Sequence, residues 1–250
     1  MIGKNRRLQR LLVGPRHRCL LIALDHAAWL GPVKGIDCPV SITQKAIEGG
    51  ANALLMGPGF TRAVGSVLKP STALVLRMSL APGLATEITQ ETPLATVETA
   101  LRMDADAVAV SVFFGRGGET AVMRYLGELI EQCSRFGMPV LAEMMPPADK
   151  FYDADTIAHA ARIGFEVGAD IVKSNYCGRV DAFSQVVKAV PVPLLVAGGP
   201  NNGNGDEDTL QMVRDVVASG AAGVAIGRRV WQSAAPEALV RKISAILFAE

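Results

Sequence analysis

The sequence predicts one α/β domain: a closed barrel of eight parallel strands that alternate with helices. Three observations point there. Eight apolar runs recur along the chain, most of them continuous in apolar or small residues rather than alternating. That is the pattern of parallel strands covered on both faces. The segments between the runs carry helix start and stop signals. The length, 250 residues, is long for an ordinary domain but usual for a barrel of this kind.

The elements follow in order. A basic opening stretch holds Lys4, Arg6, Arg7, Arg10, Arg16 and Arg18 and reads as a solvated leading helix and turn. The first three apolar runs are CLLIALDH (19–26), ANALLMG (51–57) and ALVLRMS (73–79). TPLATVETALRMD then predicts a helix with Thr92 as N-cap and Pro93 at its first position. Strand four is AVAVSVFFG (107–115), and the helix after it ends at Gly137. Strand five is PVLAEMMP (139–146), followed by a helix that ends at Gly168. Strands six, seven and eight are ADIVKSNY (169–176), PLLVAGGP (193–200) and AAGVAIGR (221–228). DEDTLQMVRDVVASG opens with acids, which suit the positive end of a helix dipole, and stops at Gly220; the last helix begins at Pro236. An open doubly wound sheet is the competing fold. It wants a glycine-rich fingerprint after the first strand, where this chain has DHAAWLGP.

Half of the residues are hydrophobic and 20% are charged, enough to bury a large core. No linker or low-complexity run divides the chain, so residues 1–250 read as one domain. A net charge of +1 gives no global field for nucleic acid or a membrane surface. No run is long enough to span a membrane, and the apolar run behind the basic start is too short for a signal segment. Cys19, Cys38, Cys133 and Cys177 form no CxxC pair, which predicts reduced thiols and a cytoplasmic protein.

In such a barrel the chemistry sits at the C-terminal ends of the strands. Side chains alternate along a strand, so Ile171, Lys173 and Asn175 share a face. If that face is the lumen, Lys173 is a desolvated amine near the mouth, able to attack a carbonyl and form a Schiff base. The competing reading is a lysine that snorkels to solvent or neutralises a carboxylate. Strand one ends in Asp25-His26, a carboxylate that could pair with Lys173 or move protons, beside an imidazole; the plainer role for Asp25 is a turn cap. On strand five, Glu143 shares a face with Leu141 and Met145 and is either a proton shuttle or a counter-ion for Lys173. Arg77 and Ser111 are further lumen candidates. Gly198 and Gly199 after strand seven, with Gly227 and Arg228 after strand eight, could hold a phosphate between backbone N–H groups and a guanidinium. The glycines could instead only make tight turns. His17 and His159 lie away from His26 in the pattern, so no metal is expected.

These residues resemble those of the archaeal-type class I fructose-bisphosphate aldolases. The likeness runs along nearly the whole chain, through LDHAAWLGPVKG, VAVSVFFG, ADIVKSNYCG, VPVPLLVAGGP and GAAGVAIGRRVWQ. The resemblance implies a (β/α)8 TIM barrel that forms a lysine Schiff base with a small phosphorylated ketose or ketone. It maps the Schiff base onto Lys173, acid–base work onto Asp25, and phosphate binding onto Gly198, Gly199, Gly227 and Arg228. It also implies a homo-oligomer, since rings, often decamers, are common in the family, and no cofactor. One departure stands out. The family's aldolases carry Trp-x-Tyr-Pro on strand five, with the tyrosine as general acid/base, whereas this chain has Glu143-Met144-Met145-Pro146. Met145 stands where the tyrosine would be, and a thioether cannot shuttle a proton. In that respect the chain is nearer to the autoinducer-2 phosphate branch, whose members transfer an acetyl group from a phosphorylated dione to coenzyme A and in which the histidine of the Asp-His pair is functional. His26 is therefore a candidate. The expected function is a metal-independent class I aldolase. The alternatives are that thiolase, with coenzyme A as co-substrate, and a non-catalytic sugar-phosphate-binding barrel. A third relative, which condenses a phosphorylated sugar fragment with aspartate semialdehyde, ranks lower because it too uses the tyrosine.

Overall fold

A computed structural model describes residues 1–84, 91–200 and 205–249. The eight strands are β1 (Cys19–Ala23), β2 (Ala53–Met56), β3 (Ala73–Arg77), β4 (Ala107–Phe113), β5 (Val140–Met145), β6 (Ile171–Asn175), β7 (Leu194–Ala197) and β8 (Gly223–Ile226). They close in sequence order, every neighbour parallel, with β8 returning to β1 through Cys19 opposite Gly223. This is the (β/α)8 TIM barrel that the run pattern predicts. Each strand is shorter than its apolar run, several at both ends.

The helices are α1 (Ile2–Leu11), α2 (Ala27–Leu30), α3 (Pro39–Glu48), α4 (Pro58–Val64), α5 (Val97–Arg102), α6 (Glu119–Phe136), α7 (Ala154–Val167), α8 (Val180–Ala189), α9 (Gly205–Ser219), α10 (Arg228–Trp231) and α11 (Pro236–Leu247). The predicted stops hold: Gly137 and Gly168 take left-handed geometry at the ends of α6 and α7, where an L side chain would be strained. The predicted start of α5 does not hold. Thr92 and Pro93 are extended and pair with Ser79 and Leu80 in a short antiparallel ladder. Leu94 N–H donates to the Met78 carbonyl at 2.7 Å. Proline's fixed φ suits an extended edge as well as a first helical turn, so the signal was ambiguous. The cap passes to Thr96, whose hydroxyl accepts from Thr99 N–H at 3.3 Å.

Two layers of core follow from the alternation of side chains. Outward residues such as Leu20, Ile22 and Val172 pack against the helices, with Phe183 and Trp231 among the largest side chains there. Inward residues such as Leu21, Leu55, Val75, Leu141 and Ile171 fill the lumen. Leu8, Leu11 and Leu12 close the lumen from below. The leading helix is thus more than the solvated basic segment expected from its charge. Lys4 lies 2.7 Å from Asp170, Arg10 pairs with Asp106, and Arg7 donates to the Gly137 carbonyl at 3.2 Å.

All four cysteines are free thiols. Burial pushes Cys19 and Cys133 up to about 12, so they are unreactive packing residues. Among the described residues no helix is long and apolar enough to cross a membrane.

Candidate active site

The lumen is apolar until its last layer. Lys173 follows Ile171 on the inner face of β6, Glu143 follows Leu141 on β5, and Ser111 follows Ala109 on β4. The sheet register puts Ser111 opposite Glu143 and Glu143 opposite Lys173. Lys173 Nζ accordingly lies 2.6 Å from Glu143 Oε1. Ser111 Oγ donates to Glu143 Oε2 at 2.6 Å, and Arg77 Nη2 reaches the same oxygen at 3.3 Å. Lys173 is 7% exposed and Glu143 5%. The parity argument for all four inner residues therefore holds. The amine is not alone in an apolar wall, however; its counter-ion is built into the neighbouring strand.

Arg77, the last residue of β3, joins the carboxylates. Its Nε lies 3.0 Å from Asp25 Oδ2, and its Nη2 is 3.8 Å from Glu91 Oε1. Asp25 lies two residues beyond Ala23, so it keeps the lumen direction although β1 has ended. His26 opens α2 with Nδ1 3.2 Å from Asp25 Oδ1, and its ring meets Trp231 edge-on at 5.8 Å.

The site's charges follow from this crowding. Burial alone would raise the Asp25 and Glu143 carboxyls. For Asp25, Arg77 and His26 outweigh burial and hold it well below the usual carboxylate range. For Glu143, Arg77 and Lys173 do the same and bring it to about 2. The three carboxylates in turn hold the Arg77 guanidinium charged in spite of its burial. Glu91 behaves differently. Burial raises it, and neither Arg77 nor the Ser79 hydroxyl brings it back.

The four expected phosphate residues also meet at the mouth, lining a cavity of 1090 Å³ together with Lys173, Asp25, His26 and Glu143. Two of the glycines are required by packing as well. A Cβ at Gly198 would stand 2.8 Å from the Ile226 side chain, and one at Gly227 would stand 2.5 Å from the Ala23 carbonyl oxygen and 2.9 Å from the His26 ring. Gly199 is left-handed, with φ at +65°. Arg229 fixes this wall by donating to the Gly198 carbonyl and pairing with Asp208. Arg228 is left facing the cavity. Burial lowers the Arg228 guanidinium, and its Nε is buried without a hydrogen-bond partner among the described residues.

Sequence reasoning missed two residues here. Glu91, with a side chain only 6% exposed, comes from the ladder over β3; nothing in its local sequence marks it. Tyr152 is on the loop after β5, where Asn175 Nδ2 donates to the Phe151 carbonyl at 2.9 Å. Its hydroxyl would stand 3.6 Å from a Cβ at Gly199. Among the described residues no group of three or more His, Cys, Asp or Glu is arranged to hold a metal ion.

Residues 19–233 match the description "DeoC/LacD family aldolase". The chain belongs to that family. A 2-amino-3,7-dideoxy-D-threo-hept-6-ulosonate synthase of Halobacterium salinarum is 35% identical over 248 residues, covering 98% of this chain and 91% of the relative. A 2-amino-4,5-dihydroxy-6-oxo-7-(phosphonooxy)heptanoate synthase of Streptomyces griseus is 32% identical over 248 residues, covering 98% and 90%. Among solved structures, a Schiff-base-forming fructose-1,6-bisphosphate aldolase superposes with a TM-score of 0.88 at 26% identity, over 98% of this chain and 100% of that one. An archaeal fructose-1,6-bisphosphate aldolase, with its catalytic lysine bound to the carbinolamine intermediate, matches with a TM-score of 0.88 at 25% identity over the same shares. This aldolase is therefore a class I enzyme, a lyase that works through a Schiff base. Its relatives are aldolases and synthases, and they do not favour acetyl transfer to coenzyme A.

Proposed function

We propose that this aldolase makes or breaks a carbon–carbon bond in a small phosphorylated ketone or ketose, with Lys173 as the Schiff-base residue. One observation carries the reading: Lys173 is the amine of the lumen's top layer, 2.6 Å from a buried carboxylate and on the floor of the cavity that the glycine turns rim. The names of the relatives support a phosphorylated substrate, since the Streptomyces griseus enzyme is named for a phosphonooxy compound and the structural neighbours act on fructose 1,6-bisphosphate.

The residues divide the work by position. Gly198, Gly199, Gly227 and Arg228 take the phosphate, Arg228 with a guanidinium whose Nε has no hydrogen-bond partner among the described residues. Glu143 accepts the ammonium proton of Lys173, and the freed amine attacks the carbonyl carbon. The carbonyl π electrons move to oxygen, giving a carbinolamine. Glu143 returns that proton as the hydroxyl leaves as water, and the iminium that forms draws the bonding electrons of the scissile carbon–carbon bond. Asp25 and Glu143, ionised at neutral pH, stabilise the cation electrostatically. His26 orients Asp25. The chemistry proposed needs no metal and no cofactor. The family resemblance carries the further proposal of a homo-oligomer, which light scattering after gel filtration measures, and the unpaired cysteines carry that of a cytoplasmic protein.

The test is borohydride trapping with a panel of phosphorylated ketones, dihydroxyacetone phosphate first, followed by peptide mapping. An adduct on Lys173 is the expected result. An adduct on another lysine, or none with the protein folded, would remove Lys173 from the chemistry.

A further inference from the structure

The three carboxylates around Arg77 are not equivalent. Glu143 is fully engaged: Oε1 takes Lys173, and Oε2 takes Ser111 and Arg77. Asp25 Oδ2 is paired with Arg77 at 3.0 Å, and its Oδ1 lies 3.2 Å from His26 Nδ1. These two sit in the wall or at its rim, beside the lysine. Glu91 arrives from a different direction, on the chain that returns over β3 through the Thr92–Pro93 ladder. Its Oε2 takes the Ser79 hydroxyl. Its Oε1 stands 3.8 Å from Arg77 Nη2, beyond hydrogen-bonding distance. Among the described residues Glu91 thus keeps one oxygen without a hydrogen-bond partner while lining the cavity.

Charge separates them further. The groups that face Glu91 are Arg77 on β3, Ser79 beyond it, Glu143 on β5, Asp25 after β1 and, further out, Arg116 and the Tyr125 hydroxyl of α6. Among the described residues the last layer holds Lys173 and Arg77 against Asp25, Glu143 and Glu91, two cations for three carboxyls. Two carboxylates satisfy the two cations. A third in the same dry layer favours the neutral acid, and burial does raise Glu91.

We propose that Glu91 is the proton-transferring carboxyl of the carbon–carbon step, in place of Asp25, Glu143 or His26. The proposal rests on the Schiff-base reading of Lys173. The protons balance. Glu143 gives the proton it took from Lys173 to the carbinolamine hydroxyl, which leaves as water and forms the iminium. The Glu91 carboxylate then takes the proton of the hydroxyl β to the iminium carbon. The carbon–carbon bond breaks, its electron pair passes to the iminium to give an enamine, and an aldehyde departs. The Glu91 acid returns its proton to the enamine carbon, and hydrolysis of the new iminium releases the ketone and restores the Glu91 carboxylate and the Lys173 ammonium.

Solvent exchange separates this role from Schiff-base formation. Dihydroxyacetone phosphate in D2O exchanges a carbon-bound hydrogen through the enamine, which NMR follows, while borohydride reports the adduct. The expected result for Glu91→Gln is wild-type trapping on Lys173 with exchange slower by about 10²-fold or more. Exchange at the wild-type rate would overturn the proposal. Loss of the adduct in the folded variant would also overturn it, making Glu91 a support for Arg77 and Lys173. No adduct in the wild-type protein would overturn the Lys173 reading itself, and this proposal with it. Where Glu91→Gln does not fold, Glu91→Ala carries the comparison: restoration of exchange by added formate is expected, and its absence is the overturning result.

Discussion

The two ends of the barrel both bring cations and carboxylates together, and they do opposite things with them. At the bottom, Asn52, Asp106 and Asp170 each stand one residue before an even strand, β2, β4 and β6. Each accepts the N–H at the start of the preceding odd strand: Leu20 at 2.7 Å, Leu74 at 3.0 Å and Val140 at 3.0 Å. Each is also tied to α1, Asn52 through the Leu11 carbonyl at 2.9 Å and the two acids through Arg10 and Lys4. Every carboxylate there has one cation and one backbone partner. At the top, Arg77 is shared by Asp25, Glu91 and Glu143, with Lys173 also on Glu143, and the layer faces an open cavity. Matched pairs staple a closed end. A shared cation with a surplus carboxyl leaves a proton free to move.

The sharpest way to break this comparison is Lys173→Ala. It should abolish the borohydride adduct and reduce turnover to background while the circular dichroism spectrum is kept, because Arg77 and Ser111 still hold Glu143. Glu143→Gln comes next. It should slow turnover by about 10²-fold or more, the scale of losing a positioned acid–base group; unchanged turnover would leave Glu143 a mere counter-ion. Arg228→Ala should raise KM for the phosphorylated substrate by about 10- to 100-fold with a smaller change in kcat, as expected for one charged hydrogen bond of ~1.5–3 kcal/mol. A kcat loss with KM unchanged would place Arg228 elsewhere in the mechanism.

At the bottom, Asp170→Ala removes the acceptor of the Val140 N–H and the partner of Lys4. It should cost ~1–3 kcal/mol of stability in denaturant titration and leave kcat alone. A kcat change would mean that the two ends communicate.

The smallest effect concerns pH. Glu143 is lowered from 4.5 to about 2, so its ionisation supports the fold above about pH 4.5 and that support fades as pH falls toward 2. Glu91 is raised, which reverses the sign: its contribution is present at low pH and is lost as pH rises through the raised value. Glu91→Gln should therefore gain more melting temperature over the wild type at pH 9 than at pH 5. An equal gain at both would remove the surplus-carboxyl argument.

Much of this was legible in the chain. Continuous apolar runs located the eight strands, because a strand buried on both faces has no polar side to alternate. Parity located Lys173, Glu143, Arg77 and Ser111 on one face, because the pleat repeats every two residues. Glycines placed two helix ends. The start of α5 was misread at Thr92-Pro93, since a threonine-proline pair serves a strand edge as well as a helix cap. Glu91 and Tyr152 were invisible, because each reaches the cavity through a loop whose path depends on contacts distant in sequence.

The sequence by itself determined the barrel, its inner and outer faces and the lysine at its top, because periodicity and local backbone preference act within a few residues. Tertiary structure alone decided which carboxyl meets which cation. That choice depends on strand register, on the return of the chain over β3 and on the shared dielectric of the lumen. Together they place Asp25, Arg77, Glu91, Glu143 and Lys173 in one buried layer, although the chain scatters them from strand one to strand six.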